Sequence, residues 1–142
     1  MRFLILATII SVTGLTGHGS QRPAGNRSKS NDSIFKSYEF PSHPKLTYLC
    51  QKRVYGSGHE ITFDAFASSA RPSQLLDYYR RKLGDAGFTR EGKGGFWSLP
   101  ADAPRPERVL DIKAIGTDNP SSDCEKKPPA NSRAIIIISR MY

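Results

Sequence analysis

One stretch of this 142-residue chain has the three- and four-residue apolar spacing of a surface helix, and it lies between segments that alternate instead. Over Pro72–Ala86, Leu75, Leu76, Tyr79, Leu83 and Ala86 fall on one stripe, with Asp77, Arg80, Arg81 and Asp85 opposite. Pro72 suits the first helical turn, where its missing N–H costs nothing, and Asp77 and Arg81 form an i,i+4 pair. Gly87 is placed for a left-handed cap that would fold Phe88 back on Leu83. A single amphipathic helix must bury its stripe on a sheet, so the strands decide the architecture.

Leu46–Tyr55 and His59–Ala67 read as a hairpin turned by Gly56, Ser57 and Gly58. In its second strand Ile61, Phe63, Ala65 and Ala67 share one face, while Glu60, Thr62 and Asp64 point to the other, the expected wet side. Phe88–Glu91 and Gly95–Leu99 form a second, shorter hairpin, Glu107–Ile115 a longer alternating strand, and Arg133–Met141 a last one. The Ile135–Ile138 run is apolar on both faces, as a strand in mid-sheet would be. The fold class is therefore α+β, one amphipathic helix packed on a mostly antiparallel sheet of four to six strands.

Ahead of this domain the chain changes character. Met1 and Arg2 precede an apolar run from Phe3 to Val12, and small residues follow in Gly14, Gly17 and Gly19. That order is a secretory signal peptide over residues 1–19, with cleavage expected after Gly19 and no stable membrane span remaining. Residues 20–42 are rich in Ser, Asn, Arg, Lys and Pro, and read as a basic disordered arm. Ile34, Phe35, Tyr38 and Phe40 are its exceptions, placed to dock as a short strand on the single domain of residues 43–142. Between the leader and Gly58, seven Lys and Arg stand against two carboxylates, which concentrates the net +8 at this end. Such an arm on a secreted or periplasmic protein suits an anionic envelope component as partner, or another secreted protein.

Cys50 and Cys124 are the only cysteines, and in an oxidising compartment an even, widely spaced pair is expected to be bridged. No Cys-x-x-Cys or His-x-x-x-His spacing is present, so neither a metal nor any other cofactor is expected. His59 with Glu60 or Asp64 is the best acid–base candidate, the basis of an alternative reading as a small envelope hydrolase. Strand alternation separates His59 from both carboxylates, however, and the Gly-x-Ser-x-Gly setting of a hydrolase serine is missing around Ser57. Gly92-Lys93-Gly94-Gly95 has neither phosphate-loop nor dinucleotide spacing, and no specific nucleic-acid partner is expected. No catalytic residue is assigned. Tyr78 and Trp97, with Arg80 and Arg81 beside them, are the candidate contact surface, aromatic and Arg side chains being enriched where proteins bind. A Trp97 edge of this kind would also serve an inhibitor of another secreted protein.

The stretch from Phe63 through Trp97 resembles small exported bacterial proteins of unknown function. The likeness lies in a strand, then Pro72-Ser-Gln-Leu-Leu-Asp-Tyr-Tyr-Arg-Arg-Lys-Leu, then Asp85-Ala-Gly-Phe, and covers about a quarter of the chain. Arg71 departs from it, since such helices begin with Asp or Ser. The resemblance implies export and this architecture, and carries no catalytic residues.

Overall fold

The computed structural model describes residues 29–142 apart from 57, 103 and 117–119. The leader expected at residues 1–19 and the arm up to residue 28 lie outside the described residues. Among the described residues no helix is long and apolar enough to cross a membrane.

Six strands form one antiparallel sheet: β1 (Leu46–Gly56), β2 (His59–Ser68), β3 (Phe88–Glu91), β4 (Gly94–Leu99), β5 (Glu107–Ala114) and β6 (Ala134–Met141). Their order is β1-β2-β6-β5-β4-β3, which seats the last strand between β2 and β5. Both faces of β6 are covered, as its isoleucine run anticipates: Ile136 and Ile138 belong to one core cluster, Ile135 and Ile137 to another. Gly94, at the start of β4, is required by close approach, because a Cβ there would lie 1.8 Å from the Ile112 carbonyl oxygen.

Two helices, not one, cover the first face. The expected helix is α2 (Pro72–Leu83), with Leu75, Leu76 and Tyr79 buried. It starts without an Asp or Ser cap; instead the Gln74 side chain accepts the Arg71 N–H at 2.9 Å, one half of a capping box. It stops a turn earlier than the apolar stripe suggests, since Gly84 at φ 73° takes the cap position and Gly87 serves the turn into β3. There Arg80 pairs with Asp85 at 2.8 Å, and no Asp77–Arg81 ion pair forms. The other helix is α1 (Asn31–Ser37), within the segment read as a disordered arm. Ser30 caps it by accepting the Ser33 N–H, and Ile34 and Phe35 enter the core with Tyr38 and Phe40 just beyond. The four apolar residues do dock, but a helix rather than a strand carries them. At about 1.5–3 kcal/mol for each large side chain buried, they offset the cost of ordering so polar a segment.

The opposite face is closed covalently. Cys50 on β1 and Cys124, just after a 3-10 helix at Pro120–Asp123, form a disulfide with a Cα–Cα distance of 5.6 Å. Cys124 packs with Leu49, Phe63, Ala65, Ala67, Ile135 and Ile137, so the bridge pins the long loop over the sheet. Linking positions 74 apart stabilises the fold by about 4 kcal/mol in the chain-entropy account.

Candidate functional site

Beyond α1, the face of β1, β2 and β6 that carries the helices is not filled to its end. A cavity of about 840 Å³ opens there, lined by Tyr48, Gln51 and Arg53 from β1, Glu60, Thr62 and Asp64 from β2, Arg140 from β6, and Ser37 and Tyr38 at the end of α1, among others.

Register explains the convergence. Gln51 opposes Asp64, Arg53 opposes Thr62, and Thr62 opposes Arg140, and directly opposed residues share a face. Tyr48 and Gln51 are three positions apart and would look to opposite sides of a regular strand. A bulge between Tyr48 and Cys50 leaves Leu49 unpaired and restores both to the cavity side. The same bulge directs Leu49 and Cys50 together to the disulfide side.

Asp64 forms the floor and is 1% exposed. A carboxylate so deep is tolerable only if its oxygens are donated to. Tyr38 donates its hydroxyl to Oδ2 at 2.7 Å, Gln51 its amide to Oδ2 at 3.1 Å, and Tyr48 its hydroxyl to Oδ1 at 3.1 Å. The donors pay with their acidity. Burial first, then Asp64 by hydrogen bond and charge, pushes the Tyr38 phenol far above its ordinary value. Burial and then the charge of Asp64 raise Tyr48 to about 12.

Arg140 makes the cationic wall. Its guanidinium lies 4.1 Å from the centre of the Tyr38 ring and donates through Nη2 to the carbonyl and hydroxyl oxygens of Ser37. Among the described residues no carboxylate lies within ion-pair distance of it. At the mouth, Arg53 and Glu60 pair at 3.0 Å. Its neighbour across the β5–β6 ladder, Arg108, is buried and paired with Glu39, which also takes Arg105 at 2.8 Å. Glu39 adopts φ 62°, a conformation costly outside Gly, and its two arginine partners hold the chain there as it leaves α1.

The residues singled out from sequence are scattered by comparison. Trp97 is 1% exposed, packs on Phe88 and Tyr79, and donates its indole N–H to the Gly84 carbonyl at 2.9 Å. It is therefore core, removed from any contact surface because its ring fills the space under α2. Tyr78 is half-buried, its hydroxyl tied to the Ser42 carbonyl at 2.7 Å and its ring edge-on to His43. Arg80, stacked on Phe88, and Arg81 are exposed. His59 is exposed on the β1–β2 turn, with Nδ1 3.3 Å from the Tyr142 carbonyl oxygen. Glu60 and Asp64 both line the cavity, on the strand face opposite His59. The cavity pairs no nucleophile with a base, and the Asp64 oxygens are engaged by three donors. Among the described residues no group of three or more His, Cys, Asp or Glu is placed to hold a metal.

Sequence reasoning passed over this cavity, although one signal was present. Phe66 shares the face of Glu60, Thr62 and Asp64, which marks that face as covered at one end instead of wet along its length. Comparison with protein-family models, curated proteins and solved structures gives no match to this chain.

Proposed function

We propose that this chain is an exported, disulfide-bonded α+β domain with a non-catalytic binding role in the periplasm or at the cell surface, its partner an anionic envelope component. One observation carries the reading: the cavity holds a guanidinium, Arg140, that no carboxylate of the described residues neutralises, while its deepest carboxylate is already satisfied. That is a recognition surface with positive charge to spare. The basic leader-proximal segment adds charge of the same sign, and the resemblance of residues 63–97 to small exported proteins supports the compartment. The hydrolase reading draws nothing from the cavity, since His59 stands outside it, and an inhibitor edge built on Trp97 loses its anchor to the core.

Retention on washed envelope fractions tests the proposal. The deletion used must end before Lys29, because removing residues 20–42 would take Phe35, Tyr38 and Phe40 out of the core. Salt-sensitive retention of the whole protein, weakened by removing residues 20–28, is the expected result. Equal passage of both proteins at low salt would remove the envelope from the proposal, and recovery from the cytosol with both thiols reduced would remove export.

A further inference from the structure

We infer that the cavity takes a sugar or other polyol carrying one anionic group, a carboxylate or a phosphate, with Arg140 as the anchor. This deepens the binding role proposed above and rests on it for biological context, but it has its own geometric ground.

The ground is what remains free in each lining side chain. A guanidinium presents five N–H groups in one plane. Stacking on Tyr38 at 4.1 Å fixes that plane, and the two bonds to Ser37 use only Nη2. The Nε–H and the two Nη1 hydrogens are left to give an anion charge-assisted hydrogen bonds. The carboxylates in the cavity do not compete for it: Glu60 is paired with Arg53, and Asp64 is covered by Tyr38, Tyr48 and Gln51.

Around the anchor the lining changes from charge to hydroxyl chemistry. Gln51, Tyr48 and Thr62 line the cavity; Tyr48 and Gln51 each give a donor to Asp64, and their oxygens keep acceptor capacity, as the Thr62 hydroxyl keeps both. A ring of vicinal hydroxyls, each both donor and acceptor, is the ligand class that satisfies such a set. Apolar ligands find little here, because among the described residues Ile34 is the one aliphatic side chain of the lining. A bare anion would leave most of the space to water, since about 840 Å³ lies within the range of sites that enclose whole small molecules.

Titration of the oxidised protein with glucuronate, glucose 6-phosphate, glucose and inorganic phosphate, followed by amide chemical shifts and calorimetry, tests the assignment. At least one anionic sugar should shift Gln51, Thr62 and Arg140 together and bind about tenfold or more tighter than glucose, the worth of a charge-assisted hydrogen bond. Preference for glucuronate assigns the carboxylate, and preference for glucose 6-phosphate the phosphate. Arg140→Gln should bring the anionic sugar down to the level of glucose, with Arg140→Lys between them. Thr62→Val, which keeps shape and charge, should weaken the sugars and spare inorganic phosphate, so the test survives if the Arg140 variants fail to fold. The inference is overturned if neither anionic sugar perturbs the cavity at millimolar concentration, if Arg140→Gln binds as wild type does, or if inorganic phosphate binds as tightly as its sugar ester. Sugar binding without envelope retention sinks the envelope reading alone. Retention without sugar binding sinks this one alone.

Discussion

Tyr38 and Asp64, 26 positions apart, are joined by a 2.7 Å hydrogen bond in which the phenol donates and the carboxylate accepts. The bond ties the end of α1 to the centre of β2 and closes the inner wall of the cavity. Tyr38→Phe keeps the ring under Arg140 and removes only the donor, so it should destabilise the fold by about 1–3 kcal/mol. Asp64→Asn should cost at least as much, because one amide oxygen cannot accept from two phenols and Gln51 together. Denaturant titration of both variants reads the difference. A Tyr38→Phe protein as stable as wild type would mean that apolar packing alone seats α1.

Alkaline pH should loosen the same region. A phenol whose acidity is suppressed on folding stabilises the native state below the ordinary value near 10. That contribution is lost as pH rises through the folded value, about 12 for Tyr48 and higher for Tyr38 and Tyr79. Tyrosinate absorbance should therefore show these three rings ionising only above pH 10, together with loss of near-ultraviolet circular dichroism. Ionisation of Tyr38, Tyr48 and Tyr79 near pH 10 in the folded protein would contradict the buried network.

Loss of the disulfide should be felt on the other face first. Replacing Cys50 and Cys124 together by Ser should cost about 2–5 kcal/mol, with amides of residues 120–132 losing hydrogen-exchange protection before those of α1. If α1 opens first, the bridge and the loop it holds are not the unit described.

Asp111 is a removable liability. On β5, burial raises its acid value against the pull of Lys113, 3.4 Å away, and its Oδ1 is buried without a partner. An acid raised on folding favours the native state at low pH and works against it once pH passes the folded value. Asp111→Asn should thus stabilise the protein at neutral pH by a modest amount, under about 1 kcal/mol given the screening of a half-open pair. The gain should vanish on acidification to the ordinary carboxylate range. Thermal melts at both pH values check the sign.

Periodicity made most of the fold legible. Strand alternation and the 72–86 stripe locate the strands and α2 to within a few residues, because an element that buries one side repeats that choice along its length. The apolar Ile135–Ile138 run placed β6 inside the sheet for the complementary reason, that both of its faces are covered. α1 escaped because seven residues are too few for a period to declare itself against polar composition, although Ser30 and Asp32 supply a helix start and Ile34, Phe35 and Tyr38 sit at helical spacing. The cavity escaped for a different reason: Asp64 reads as solvated until Tyr38 from the end of α1 and Tyr48 and Gln51 from β1 are brought to it. Pairing register and a one-residue bulge do that, and neither is written in local composition.

Leu49, the surplus residue of β1, acts as a phase shifter. Were it drawn into the ladder, Cys50 would come to oppose Asp64 and Gln51 would come to oppose Phe63, so the sulfur and the amide would trade sides. The covalent staple behind the sheet and the polar basin in front of it are thus set by a single irregularity, and straightening that strand would forfeit both at once.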